Sequence, residues 1–167
     1  DMLVLVINKN TKNDASFMEL NKKSKNYLSK TIKSHLDQPG SSILLPKIDG
    51  INAKHILLVK GLDEDAPTHK WLSLYQSIAQ KGNHNKCKDI TVVPGTISPK
   101  GKDELWLIEM VSKTIESNVY IFSETKNKTS KKPSVKKLTI LTTGLTGSKL
   151  TKAKKAAKVG YAIGEGV

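Results

Sequence analysis

Few residues of this chain combine the type and the spacing that chemistry requires. The segment Thr143-Gly144-Leu145-Thr146-Gly147-Ser148-Lys149 stands between a strand-like and a helix-like stretch, where a phosphate-binding loop would stand. Such a loop has four residues between its glycines and a Lys before the Ser or Thr, so that backbone N–H groups cradle the phosphates and the lysine reaches them. Here two residues separate the glycines and Ser148 precedes Lys149, so a loop with a helix cap accounts for the segment. His84 and Cys87 lie three apart, but two ligands fall short of the four that a structural zinc site takes. A lone thiol beside a histidine could be a nucleophile, yet the surrounding Gly-Asn-His-Asn-Lys-Cys-Lys carries no nucleophile signature. His35, His55 and His69 share no metal spacing. Asp63-Glu64-Asp65 could offer carboxylates to a cation. Adjacent side chains diverge, however, and helix first-turn charges explain this trio, as they do Asp103 and Glu104. Asn127-Lys128-Thr129 matches a glycosylation acceptor, which has meaning only behind a secretory signal.

The most site-like feature is the basic tract Lys126, Lys128, Lys131, Lys132, Lys136 and Lys137. Read functionally, it is an electrostatic patch for DNA or another polyanion. Read blandly, it is a solvated loop, as charge runs commonly are. The whole composition bears on that choice. The chain has 167 residues, 28 basic against 15 acidic, for a formal charge of +13, and every basic residue is lysine. Arginine supplies the bidentate recognition of phosphates and guanine edges, whereas lysine is a hydrated point charge. Without arginine, and without aromatic residues between the lysines, the tract suits non-specific attraction rather than sequence readout. The motifs contain no catalytic constellation.

The elements that would position these residues follow from hydrophobic periodicity. Leu3 to Asn8 is a nearly continuous apolar run, the pattern of a strand buried on both faces. A helix capped by Asp14 or Ser16 follows, with Leu20, Tyr27, Leu28, Ile32 and Leu36 at helical intervals and lysines elsewhere, until Pro39-Gly40 stops it. Ile43-Leu44-Leu45 and His55-Ile56-Leu57-Leu58-Val59 read as strands joined around Asp49-Gly50. Pro67-Thr68 opens a helix carrying Trp71, Leu74, Tyr75 and Ile78 on one face, to Gly82-Asn83. Asp89 to Val93 is a strand, and Asp103 opens a helix with Trp106, Leu107, Met110, Val111 and Ile115. Val119 to Phe122 is expected to pass into extended chain, Ser123 to Lys137 to be an exposed loop, and Leu138 to Leu141 a strand. Ser148 is expected to cap a final helix with the stripe Leu150, Ala153, Ala157 and Tyr161, in which Gly160 and Gly164 permit close packing.

Strands alternating with helices predict a three-layer α/β domain with a central mixed, mainly parallel sheet flanked by helices. Leu, Ile, Val and Phe number 44 of 167, above the roughly one-fifth below which a charged chain tends to stay disordered, so a core can form. One cysteine excludes an intramolecular disulfide framework. No apolar run approaches the roughly 20 residues of a membrane span. Asp1 to Asn8 lacks the basic flank and cleavage site of a signal peptide. These bounds describe a cytoplasmic domain with no membrane partner.

Taken in order, several segments resemble the N-terminal domain of the leucyl aminopeptidase (cytosol aminopeptidase) family. They are Asn26-Tyr27-Leu28-Ser29-Lys30 before Gln38-Pro39-Gly40, then Ile43-Leu44-Leu45-Pro46, then Ile56-Leu57-Leu58-Val59-Lys60-Gly61-Leu62. Tyr120 to Leu141, with its basic loop and a Pro before the strand, continues the resemblance. Ala156-Ala157-Lys158-Val159-Gly160-Tyr161-Ala162-Ile163-Gly164-Glu165-Gly166-Val167 resembles the helix that leads into the family's catalytic domain. The resemblance implies a macro-domain-like fold over residues 1–147 and the start of the connecting helix at 148–167. It implies a parent that removes N-terminal residues from peptides with two divalent ions (zinc, manganese or magnesium), which activate water and polarise the scissile carbonyl. The metal ligands and catalytic residues would lie in a catalytic domain beyond this chain, so none carries over here and this chain itself would hold no cofactor. The partners implied are that catalytic domain and the other subunits of a homo-hexamer, with DNA as a further partner of some members. A macro-like site for an ADP-ribose-type ligand is a fold analogy alone, with the Gly144–Gly147 loop in its favour.

Overall fold

The computed structural model describes residues 1–8, 11, 14–95, 97–119, 134–142 and 144–166. Its five-stranded sheet is built around β1 (Met2–Ile7), which pairs in parallel with β3 (His55–Lys60) on one side and β4 (Asp89–Val93) on the other. Val4 thereby faces Leu57 and Val92 across the two ladders. β2 (Ser42–Pro46) runs antiparallel on the outer side of β3, and β5 (Lys137–Ile140) runs parallel on the outer side of β4. The order β2-β3-β1-β4-β5 is the mixed, mainly parallel sheet expected.

A central strand has no solvent face, so the residues of β1 are apolar in both directions. Met2, Val4 and Val6 join Leu57, Val59, Ile90 and Val92 beneath α3 (Thr68–His84) and α4 (Glu104–Val119). Trp71, Tyr75 and Ile78 of α3 and Val111 and Ile115 of α4 complete that core. Leu5 and Ile7 point the other way, with Ile56 and Leu58, against Phe17 of α1 (Ala15–Lys23) and Leu28 and Ile32 of α2 (Tyr27–His35). Each such side chain contributes about 1.5–3 kcal/mol on burial. Helices thus cover both faces, giving three layers.

The structure corrects the sequence reading at several points. The helix expected from Asp14 through Leu36 is two helices. Ser24 donates its hydroxyl to the Asn21 carbonyl at 2.9 Å, and Asn26 takes a left-handed backbone (φ 64°). The Asn21 side chain then bridges the break, donating to Asn26 Oδ1 and accepting from Ser29 N, both at 3.0 Å. Asparagine tolerates this conformation, and its amide replaces the helical bonds lost at the corner. Asp14 does cap α1, accepting from Ser16 N and Phe17 N. Asp63, Glu64 and Asp65 precede Pro67 and lie outside the first turn of α3. They sit instead in a turn where Lys100 N donates to the Glu64 carbonyl and Lys100 Nζ lies 3.9 Å from Asp65. The last helix, α5 (Gly147–Glu165), starts two residues earlier than expected, with Thr146 rather than Ser148 at its N-cap and Ser148 inside its first turn. Val119 ends α4; the extended chain expected at 120–122 and the loop at 123–133 lie outside the described residues.

α5 lies along α4 at backbone distance. A Cβ on Gly160 would strike the Glu109 carbonyl, and one on Gly164 would come within 2.8 Å of the Lys113 carbonyl. Ser112 Oγ donates to the Ala157 carbonyl at 2.8 Å across the same seam. In an unpacked helix, Gly→Ala stabilises by about 0.5–1 kcal/mol. Here the expected sign is reversed: Gly160→Ala costs about 1–3 kcal/mol because the two helices must separate. Urea unfolding followed by circular dichroism measures it, and a stabilised variant would contradict the packing described.

Candidate functional site: the crevice at the switch point of the sheet

Two helices leave the central strands on opposite faces. The chain after β1 enters α1 on one face, and the chain after β4 enters α4 on the other. In open α/β sheets this divergence opens a crevice outside the carboxyl ends of the strands. The cavity found there has a volume of about 260 Å³. Leu5 and Val6 of β1 and Val93 of β4 form its base. α1 contributes Ser16, Phe17 and Leu20 with the capping Asp14, and α4 contributes Glu104 and Leu107. Pro94, Gly95, Ser98, Leu141, Thr142 and Thr11 complete the lining.

The crevice walls are fixed by buried polar contacts. Asn8, at the carboxyl end of β1, is 8% exposed and lies between Gly61 and Gly95. A Cβ on Gly61 would overlap Asn8 Oδ1, and one on Gly95 (φ +84°) would press on Asn8 Nδ2 and the Val6 carbonyl. Both positions therefore require glycine, and Gly95 also for its left-handed backbone. Asn8 N donates to Thr11 Oγ1 at 2.7 Å, which holds Thr11 at the rim. Tyr75, fully buried, donates its hydroxyl to the Pro94 carbonyl at 3.2 Å, and burial pushes its phenol pKa up. Asn8 Nδ2 is buried without a hydrogen-bond partner among the described residues.

The lysine tract is distributed differently. Lys126, Lys128, Lys131 and Lys132 lie outside the described residues. Lys136 and Lys137 are exposed at the amino end of β5, where Lys137 pairs with Asp89, so they are at the opposite end of the sheet from the crevice. There they line a second depression, of about 420 Å³, between α4, β5 and α5, together with Lys158, Glu116 and Tyr161. Lys158 reaches this groove only because α5 packs on α4, and nothing in the local sequence marks it. Cys87 is buried at 1% exposure while His84 is exposed. Burial pushes the Cys87 thiol up, which opposes thiolate formation and removes the nucleophile reading. Gly144 and Gly147 take left-handed backbones in open space, and neither lines the crevice. The crevice residues escaped sequence reading because they come from separated, individually ordinary positions. Gly61, directly after β3, and Gly95, two residues past the end of β4, were the available signal.

The architecture defines an open-sheet α/β domain with a small crevice at its switch point. The macro domain of ganglioside induced differentiation associated protein 2 superposes with a TM-score of 0.64 at 13% identity, over 97% of this chain and 78% of that one. A mutant of tomato leucine aminopeptidase gives a TM-score of 0.64 at 20% identity, over 96% of this chain and 33% of that one. The model of the cytosol aminopeptidase family's N-terminal domain matches residues 3–129, and the chain belongs to that family. A probable cytosol aminopeptidase of Haemophilus influenzae (strain PittEE) is 26% identical over 130 residues, 76% of this chain. The matched part is 26% of that relative, so the chain spans about a quarter of its length.

Glu116 carries a testable charge effect in the second groove. Desolvation, and after it the negative charge of Glu165, hold its carboxyl above the usual range. The folded state then binds the proton more tightly than the unfolded state, so stability falls as pH rises from the ordinary carboxylate range through the raised value. Glu116→Gln is expected to have a higher Tm than the parent chain at about pH 7, the difference closing towards about pH 4, as read by thermal melts across that range.

Proposed function

We propose that this chain is the non-catalytic N-terminal domain of a two-metal leucyl aminopeptidase, whose catalytic part cleaves N-terminal residues from peptides. The observation that carries the reading is the family match over residues 3–129, on a chain that spans about a quarter of its full-length relative. Residues 1–147 form the domain and 148–167 begin the connection to the catalytic part, which is this domain's first partner; a homo-hexamer is the expected assembly. The close seam of α5 on α4 supports that role, since a helix held at backbone distance transmits position rigidly. Two divalent ions, zinc, manganese or magnesium, belong in this reading to the catalytic part. Among the described residues no group of three His, Cys, Asp or Glu side chains could hold a metal. No described helix is long and apolar enough to cross a membrane; a cytoplasmic parent is inferred from the relatives, which are cytosol aminopeptidases. The expected result is that the 167-residue chain leaves leucine p-nitroanilide intact with added manganese or zinc. Turnover proportional to chain concentration that survives repurification would overturn the non-catalytic assignment.

A second reading rests on the groove that gathers Lys136, Lys137 and Lys158, together with the sequence tract Lys126, Lys128, Lys131 and Lys132. It makes this domain a non-specific DNA contact. Gel retardation of duplex DNA is expected, independent of sequence and weakening by about tenfold or more between low and physiological salt. Lys136→Glu with Lys158→Glu should lower it, and retardation unchanged by both salt and charge reversal would exclude the groove.

A further inference from the structure

The crevice between β1 and β4 has a lining chemistry that the aminopeptidase reading leaves unused. In a chain of 28 lysines, none is among the described residues that line it; its two charged residues are Asp14 and Glu104. Asp14 Oδ1 accepts from Ser16 N and Phe17 N, which fixes the carboxylate in place, while Oδ2 has no hydrogen-bond partner among the described residues. Glu104 has no ion pair or side-chain hydrogen bond among them. The remaining surface is mainly apolar, with Phe17 and Leu20 on the α1 side and Leu107 and Leu141 opposite.

We propose that this crevice binds a small apolar primary amine, its alkyl part against Phe17, Leu20, Leu107 and Leu141 and its ammonium at the carboxylates of Asp14 and Glu104. Size and charge separate this ligand from a nucleotide. The volume of about 260 Å³ lies below the roughly 300–1,000 Å³ of pockets for drug-sized ligands. A nucleoside diphosphate would bring two or more negative charges against two carboxylates with no described lysine to offset them. The Gly144–Gly147 loop, the feature that favoured an ADP-ribose-type ligand, does not line the crevice. An ammonium instead offers three donors, which the two carboxylates and the rim hydroxyls of Thr11 and Thr142 can accept. The inference is independent of the peptidase reading: amine binding can fail while the family role stands, and the reverse.

Isothermal titration of the 167-residue chain with isoamylamine, isoamyl alcohol and isovalerate tests it, since the three share one carbon skeleton and differ in charge. Saturable binding of the amine is expected, with the alcohol at least about tenfold weaker because it forfeits a charge-assisted hydrogen bond, and no binding of isovalerate. Glu104→Gln, at an exposed position, and Asp14→Asn, which retains a helix cap, should each weaken the amine about two- to fivefold. Leu20→Lys, with folding checked by circular dichroism, should abolish binding by placing a cation in the crevice. Equal affinity for all three probes, no binding by a folded chain, or tighter binding of ADP-ribose than of the amine would each overturn the proposal. Leucyl-glycinamide bound more tightly than isoamylamine would likewise overturn it, in favour of a peptide N-terminus.

Discussion

The pairing of β1 with parallel neighbours on both sides is the constraint from which the rest of the molecule follows. A strand hydrogen-bonded along both edges and covered on both faces meets no water, so every side chain from Met2 to Ile7 must be apolar or nearly so. Parallel pairing also requires each strand to return over the sheet, and those returns are the helices that cover the faces. The crevice is a consequence of the same arrangement: with α1 on one face and α4 on the other, the carboxyl ends of β1 and β4 are left uncovered between them.

The last helix obeys a second, more local constraint. Gly160 and Gly164 let α5 approach α4 until carbonyl oxygens rather than side chains set the separation, and Ser112 ties the seam with a hydrogen bond to Ala157. Close approach carries Lys158 and Tyr161 to the outer edge of the sheet, beside Lys136 and Lys137. Small residues in one helix thus determine which charges meet on another element.

Charge is partitioned between the two depressions. The groove beside β5 gathers three lysines with Glu116, whereas the described lining of the crevice has only carboxylates as charged groups. The net charge of +13 does not show this distribution of described lining residues.

The sequence alone determined the strands and helices, because their signals are local. The double-sided apolar run at Met2–Ile7, the stripe Trp71, Leu74, Tyr75 and Ile78, and the cap at Asp14 each need only their neighbours. The mixed sheet and the family were legible for the same reason, as an ordered series of such segments. Local periodicity could not show the corner at Ser24 to Asn26, since the apolar spacing runs on across it while the polar side chains of Asn21, Ser24 and Asn26 break the helix. Only the tertiary structure decided the sites. Asn8 meets Gly61 and Gly95, and Asp14 shares a crevice with Glu104, through strand pairing and helix placement across intervals of about 50 to 90 residues. Contacts that distant depend on the whole folded arrangement, and no spacing along the chain encodes them.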